Sequence, residues 1–423
     1  MTNQPSSPSS TGVATRAWPL LIAISFLATM GMTIVLPVLP FVVRRYLPDG
    51  TNLAPWVGIL ESVYALCAFL AAPALGVLSD RYGRKPVLII SVLGSAIGYL
   101  LFGIGGAVWV LLLSRIIDGL TAGDMPVLFA YLADITPPED RAKRYGMLGA
   151  LSGVGFMIGP AAGGLLAQLD LNAPVFVTAA IALAVGILAA VALPETHRPE
   201  NRITTVKLID LQPFTIVKDA FARHELRALL IGFALISLPF AFFVNNFSVL
   251  ALDTLNWGPT QVGLLTSGVG VTDIIIQGGL LGLLIRLLGD RGVVIAGMLG
   301  QLIGCIGLAV TAAFLPSAAL FGGAALLFGA SQGAQTAALE GMLSTAVDAS
   351  EQGWLAGVFS SLGSVMQMLG PLLAGWLYAS LSHTAPYWLG AVVIAAATVI
   401  LWRSTRTAAS RPASIGASEA VTA

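Results

Sequence analysis

The stretch Gly76-Val77-Leu78-Ser79-Asp80-Arg81-Tyr82-Gly83-Arg84-Lys85-Pro86-Val87-Leu88 decides the fold of this chain. It is a short, densely charged segment between two long apolar runs. The run that follows contains no Asp, Glu, Lys or Arg from Pro86 to Ser114. Because each flanking run is long enough to cross the hydrocarbon core of a bilayer, the charged segment is expected to form a turn at a membrane surface.

The composition of the whole chain favours the same environment. Only 10% of the 423 residues are charged and 57% are hydrophobic, whereas soluble proteins carry about 25% charged residues. The mean hydropathy is +0.88. The formal net charge is zero, which gives no basic surface for nucleic acid. Cys67 and Cys305 lie in apolar runs far apart in the chain, so we expect packing residues, with no metal site and no cofactor.

Twelve apolar segments are long enough to cross a bilayer, which takes about 20 residues in a helix. Backbone groups in lipid must be hydrogen-bonded within their own segment, so helices are expected rather than isolated strands. The sequence therefore predicts an all-α membrane protein with twelve transmembrane helices. The predicted spans are 18–43, 55–79, 86–106, 108–133, 145–168, 172–194, 227–251, 258–284, 292–314, 317–344, 353–380 and 385–403.

The longest polar stretch separates spans six and seven and divides the chain into two six-helix halves. The weak similarity of 286–292 to the Asp80 segment suggests that these halves are repeats, with a site between them. If both termini and the linker are cytoplasmic, the Lys and Arg residues other than Arg44, Arg45 and Arg115 lie in cytoplasmic segments, as the positive-inside rule requires. The predicted units are a disordered N-terminal tail (1–15), a first half (16–194), a linker (195–226), a second half (227–403) and a disordered C-terminal tail (404–423).

Three motifs carry a resemblance to a known family. The first is the Asp80 segment, with the spacing G-x-x-x-D-R-x-G-R-K. The second is Arg115-Ile-Ile-Asp118-Gly119, followed by Asp134 at the end of span four. The third is the pattern G-x8-G-x3-G-P-x2-G-G in span five, formed by Gly146, Gly155, Gly159, Pro160, Gly163 and Gly164. Together these motifs resemble the major facilitator superfamily, and within it the tetracycline-type branch of the drug–proton antiporters.

The resemblance implies a secondary transporter and not an enzyme. It would export small amphipathic or drug-like compounds in exchange for protons, by alternating access, as a functional monomer in a bacterial cytoplasmic (inner) membrane. Its partners would be the small-molecule substrate, protons and the lipid bilayer. No P-loop is present in the sequence, so ATP is not expected as the energy source. Two other readings remain: a metabolite, sugar or lipid exporter or symporter of the same fold, and a membrane receptor or scaffold that has lost coupling.

The resemblance also implies roles for two groups of residues. Polar and ionic contacts across the cytoplasmic face would gate the transporter. The span-five glycines would permit close helix packing. The gating residues are Gly76, Asp80, Arg81, Gly83, Arg84 and Asp134. The chain departs from the tetracycline exporters at Ala28 and Gln301, where those proteins have aspartates. Coupling is therefore expected to use other carboxylates, with a substrate other than tetracycline.

Charged groups inside the spans cost roughly 2.5–3.5 kcal/mol each on insertion scales, so they mark candidate functional sites. Glu61, Arg115 and Asp118 should lie at similar depth and form one cluster. A carboxylate beside an arginine is held ionised and takes up a proton only when the pairing loosens, which suits proton coupling. A static ion pair is the alternative. Asp124 is a further candidate, because Pro126 can kink the helix there and turn it toward a cavity.

Polar side chains in spans seven and eight are the candidates for substrate contact. Asp273 and Gln277 are four residues apart, so they share one face of a helix near mid-membrane. Asn245 and Asn246 lie in the preceding span. The sequence predicts a substrate cavity lined by these four residues. Hydrogen bonds between helices are the alternative role for such side chains.

The distribution of basic residues predicts the orientation of the chain in the membrane. Cysteines placed singly at Ser9, Thr205 and Ser414 should resist an impermeant thiol reagent in intact cells and react after the cells are permeabilised. Ready labelling of any one of them in intact cells would overturn the orientation.

Overall fold

The computed structural model describes residues 10–197, 214–348 and 351–409, and the regular elements in these ranges are helical. The predicted tails and linker fall partly outside these ranges. The helices are α1 Ser10–Val35, α2 Leu39–Arg44, α3 Leu53–Tyr82, α4 Arg84–Ile104, α5 Val108–Leu120, α6 Asp124–Ile135, α7 Pro138–Leu166, α8 Ala173–Ala192, α9 Phe214–Ala222, α10 His224–Leu255, α11 Pro259–Ile275, α12 Leu281–Ala313, α13 Ala318–Ser344, α14 Gln352–Ser380 and α15 Ala385–Ala409. A π-helical turn, Ile276–Leu280, joins α11 to α12.

Ten helical segments of the described chain are long and apolar enough to cross a membrane. One of these, Pro259–Ala313, is 55 residues long and contains two spans, because Gly289 has φ +69° and interrupts the helix. Helix α13 is not among the ten, since Gln332 and Gln335 lower its hydropathy, but its 27 residues suffice for a further span. Twelve crossings result, and the predicted all-α membrane fold is confirmed.

Two of the predicted spans are each built from two helices. The first span stops at Val35, and the chain turns before α2 because Pro37 has no N–H to continue the hydrogen-bond ladder. The fourth span is interrupted between α5 and α6, because the ring of Pro126 would collide with the carbonyl of Ala122 in a continuous helix. Thr121 ends α5 and donates its hydroxyl to the Ile117 carbonyl at 2.9 Å.

Apolar side chains both fill the interior and cover the outside of the bundle. Stacked aromatic pairs, such as Phe243 with Phe328 at 4.6 Å between ring centroids, pack between helices. Ile97, Ile187 and Val392 are large apolar side chains that are exposed on the surface. So apolar a surface suits lipid rather than water.

The bundle is closed at one end. We call the end that carries the Asp80 segment the basic face, and the other end the opposite face. Near the opposite face, α7 contacts α11: the Thr260 hydroxyl donates to the Gly164 carbonyl at 2.8 Å, and the Ala161 N–H donates to the Ser267 hydroxyl at 2.8 Å. Helices α3 and α14 also touch there, because Gly58 lies against the carbonyl of Pro371.

The glycines of these helices that lie nearer the basic face have different surroundings. Glycines on this side of α3, α7, α14 and the α11–α12 junction have open space, with nothing within 4 Å of where a Cβ would stand. These glycines are Gly76, Gly146, Gly149, Gly153, Gly278, Gly279, Gly282, Gly353 and Gly363. Close backbone contacts between helices are thus found near the opposite face, whereas these glycines near the basic face stand beside open space.

A disulfide test follows from the contact between α7 and α11. A Cβ on Gly164 would lie 2.9 Å from the Thr260 Cα and 2.6 Å from the Pro259 carbonyl oxygen. A small backbone shift that relieves this overlap brings the two positions into the range of a disulfide, in which the Cβ atoms are about 3.5–4.5 Å apart. In a variant lacking Cys67 and Cys305, the pair Gly164→Cys with Thr260→Cys should cross-link on mild oxidation, as measured by gel mobility after specific cleavage between the halves.

The matched control pair is Gly146→Cys with Gly282→Cys, which lies on the basic face and should stay uncross-linked in this state. Cross-linking of the control pair, with none between positions 164 and 260, would mean that the bundle closes at the other end.

Candidate functional site

The Asp80 segment folds into a tight connection between α3 and α4. Gly83 has φ +112°, a conformation that residues with side chains rarely adopt. Arg84 bridges two acids: its Nη1 lies 2.5 Å from an Asp80 carboxylate oxygen and its Nε lies 3.3 Å from Asp134 Oδ2. The Arg84 side chain is only 11% exposed, so the network is partly shielded from water. Arg81 is exposed and lies over the ring of Tyr82.

Sequence reasoning missed Glu195, which fastens the end of α8 to this segment. Its carboxylate accepts hydrogen bonds from the backbone N–H groups of Arg84 at 3.0 Å and Lys85 at 3.2 Å, in the first turn of α4. An anion is stabilised there by the helix dipole. Thr196 adds a hydrogen bond from its hydroxyl to Asp134 at 3.2 Å. The signal available in the sequence was an acidic residue directly after the last apolar residues of span six.

Arg115 and Asp118 form a buried ion pair inside the first half. Their side chains are 6% and 4% exposed, and Arg115 Nη1 lies 3.6 Å from Asp118 Oδ2. Glu61, on α3, is half-buried and close enough to interact electrostatically with both. The structure thus brings the three predicted residues together. The Ser95 hydroxyl also interacts with the Asp118 carboxylate.

Aromatic rings surround the Arg115 guanidinium. The central guanidinium carbon, Cζ, lies 4.9 Å from the ring centroid of Phe102 and 5.8 Å from the centroids of Tyr64 and Tyr99. Its Nε and Nη2 have no hydrogen-bond partner within the described part of the chain. The guanidinium therefore has donors to spare. These unpartnered donors lie in the same cluster as two carboxylates, those of Asp118 and Glu61.

A first cavity of about 330 Å³ borders this cluster. It is lined by α1, α3, α4, α5, α6 and α8, by Ala122 between α5 and α6, and by two residues of α14. Asp118 contributes a charged group to the wall, and Ala28 lies in the same wall. Asp124 begins α6, but its side chain lies outside the part that the structure describes, so its predicted role is not addressed.

A second cavity, of about 400 Å³, lies where α7 meets α10, α11 and α13. Asp273 and Gln277 line it, and the Gln277 amide donates to both carboxylate oxygens of Asp273 at 2.8 and 2.9 Å. Thr29 of α1 borders both cavities. Asn245 and Asn246 are buried residues of α10, and neither of them lines either cavity.

Gln301 lies in a buried amide layer beside the second cavity. Its amide donates to Gln332 at 2.6 Å and its carbonyl oxygen accepts from Gln335 at 2.5 Å. A neutral hydrogen-bonded network thus stands where the resemblance implied an acid. In the described residues, no three His, Cys, Asp or Glu side chains are grouped so that they could hold a metal ion.

The span-five glycines lie between two partner helices. Gly155, Gly159 and Gly163 face α1, where added Cβ atoms would meet the backbone or Thr33. Gly164 faces α11, and the carbonyl of Pro160 lies against Gly263 of that helix. The motif thus packs α7 against α1 and α11 and forms part of the seal at the opposite face.

Comparison with known proteins identifies relatives along most of the chain. Residues 21–251 and 229–421 match the family model described as Major Facilitator Superfamily. Tetracycline resistance protein, class C, of Escherichia coli is 33% identical over 89% of this chain and 92% of its own length. The class G protein of Vibrio anguillarum is 34% identical, with 89% and 93% covered. Multidrug resistance protein 1 of Bacillus subtilis is 28% identical, with 91% and 96% covered.

Solved structures share the fold at lower sequence identity. The human organic anion transporter MFSD10 superimposes with a TM-score of 0.68 at 21% identity, over 93% of this chain and 100% of that one. A bacterial homologue of the human lysosomal transporter Spinster, in an inward-facing and occupied conformation, gives 0.71 at 15% identity, with 96% and 98% covered.

Proposed function

The chain belongs to the major facilitator superfamily, and we propose that it exports small amphipathic or drug-like compounds in exchange for protons by alternating access. The relatives at 33–34% identity are tetracycline resistance proteins and another relative is a multidrug resistance protein. The observation that carries the proposal for this chain is geometric. Two cavities lie among the helices, and one of them borders a buried ionisable cluster.

The cluster of Glu61, Arg115 and Asp118 is proposed to carry the proton. It holds one permanent positive charge and two carboxylates, so one bound proton makes it neutral. A neutral cluster is less costly to enclose in a low-dielectric interior than a charged one. Binding of a proton thus favours closure around the cluster, and exposure to water favours its release. The spare donors of Arg115 let one carboxylate take over the pairing when the other is protonated.

The sealed and open faces suggest which state the structure represents. We propose that the basic face is cytoplasmic, that both termini lie on that side and that the halves are 16–194 and 227–403, with 195–226 as linker between them. The structure is then an inward-open state of a functional monomer. The glycines of span five, with Pro160, would hold the opposite face closed in this state.

The Asp80 segment is proposed to act in the other state. When the halves close at the basic face, Asp80 would meet the start of α14, while Arg84 keeps its tie to Asp134 within the first half. Gly76 and Gly83 would allow the close approach, and Arg81 would stay at the surface. Isolated surface pairs contribute only about 0–1 kcal/mol. The shielding of Arg84 and the anchor supplied by Glu195 therefore matter to this role.

Variants of the cluster test the coupling. Glu61→Gln and Asp118→Asn should each abolish gradient-driven substrate uptake into inverted vesicles, because each variant leaves one carboxylate to pair with Arg115 and the cluster is then neutral without a proton. Substrate exchange without a gradient should survive in at least one of them. Uptake of a compound panel, with a pH-sensitive dye inside the vesicles, measures both quantities.

Glu340→Gln is the matched control, since this carboxylate lies in α13 but lines neither cavity. It should retain coupled uptake. If both single variants and the Glu61→Gln/Asp118→Asn double variant still accumulate substrate against a gradient, the cluster has a structural role only.

A further inference from the structure

Asp273 is an acidic side chain in the second cavity that the coupling cluster does not use. It lies on α11, in the half opposite to Arg115. No ion pair joins it to a Lys, Arg or His within the described residues. The hydrogen bonds that it accepts come from the neutral Gln277 amide. An amide does not cancel a full negative charge, so the site lacks a cationic partner.

The backbone around Asp273 is arranged to present the carboxylate to the cavity. The π-helical turn Ile276–Leu280 begins three residues later and contains Gln277. Such turns occur frequently at functional sites. On the facing helix α13, a Cβ at position 333 would overlap Asp273 Oδ1. The carboxylate therefore has its place only because residue 333 is glycine.

The remaining walls are neutral, fixed and partly aromatic. Gln332 accepts hydrogen bonds from Gln301 at 2.6 Å and Gln335 at 3.0 Å, which use its carbonyl oxygen and set its orientation. Phe156 of α7 and Phe240 of α10 line the same cavity. Aromatic faces attract cations. The cavity of about 400 Å³ also falls in the usual size range of small-molecule sites.

The geometry points to a binding site for an organic monocation, with its ammonium group beside Asp273 and its apolar body against Phe156 and Phe240. A single carboxylate among neutral amides matches one positive charge. The site lies between the two halves, bordered by Thr29 and Phe156 on one side and α10, α11 and α13 on the other, as a site exposed alternately to each face requires. This inference rests on the proposed function, because it names the substrate class of the same exporter.

Two matched probes test the site by equilibrium binding to the purified full-length protein in detergent. One is a dansyl amide with a trimethylammonium arm, and the other has the isosteric neutral tert-butyl arm. Asp273→Asn should weaken binding of the cationic probe roughly tenfold or more and change binding of the neutral probe less than about twofold, since only the former loses a charge-assisted contact. Dansyl fluorescence titration measures both affinities.

Further variants separate charge from folding. Asp273→Glu should retain the preference for the cationic probe, and Glu340→Gln should leave both affinities unchanged. Gly333→Ala keeps the charge of Asp273 but displaces its carboxylate, so it should weaken binding of the cationic probe and leave binding of the neutral probe unchanged. The site is overturned if Asp273→Asn weakens both probes equally, if it weakens neither, or if the unaltered protein binds the neutral probe as tightly as the cation.

Binding at equilibrium needs no proton gradient, so the cation site at Asp273 and proton-coupled export can be tested independently of each other. A cation preference that depends on Asp273, in a protein without gradient-driven uptake, would contradict the proposed coupling and support the site. Gradient-driven uptake with the same cation preference in Asp273→Asn would support the exporter and contradict the site.

Discussion

The buried pair of Arg115 and Asp118 is the interaction on which the rest of this structure depends. An arginine cannot lose its charge in a protein, so it must keep an anionic partner wherever water is excluded. Here it has one carboxylate at 3.6 Å and a second, Glu61, within electrostatic range. The three rings around the guanidinium shield it further from water. One permanent cation with two acids gives the first half a group that one proton can neutralise.

In the proposed inward-open state, the seal at the opposite face would limit access to this cluster to the basic face. Backbone contacts at Gly58, Gly164 and Gly263 hold α3, α7, α11 and α14 together there, and other glycines of these helices near the basic face stand beside open space. Small residues permit such close approach of helix backbones. In the proposed transport cycle, the helices would move about these contacts to close over both cavities.

Much of the fold could be predicted because it follows from the length and polarity of segments. The charged Asp80 segment between apolar runs identified a membrane protein, and its spans follow the apolar runs. The kink predicted at Pro126 matches the interruption between α5 and α6, whereas the break at Pro37 inside span one was not predicted, because a proline permits a kink without fixing whether the helix stops. Span ten is less apolar than the others because it contains Gln332 and Gln335. These glutamines hydrogen-bond to each other inside the bundle, and the sequence cannot reveal that pairing.

The candidate site was harder to predict, because the outcome depends on helix rotation. Spacing placed Asp273 and Gln277 on one face, and in the structure they are hydrogen-bonded in a cavity wall. Neighbours such as Asn245 and Asn246 point about 100° apart on a helix, and only packing decides which faces a cavity. Glu195 acts on residues more than a hundred positions away, so no local pattern could assign it. The roles of all these residues stay predictions.

Proton release on substrate binding tests the central claim most directly. The purified protein in weakly buffered detergent solution would be mixed with a compound that it binds, and released protons would be followed with a pH-indicator dye. The account predicts release from the unaltered protein and none from the Glu61→Gln/Asp118→Asn double variant, although that variant still binds the compound. Undiminished proton release from the double variant would contradict the assignment of coupling to this cluster.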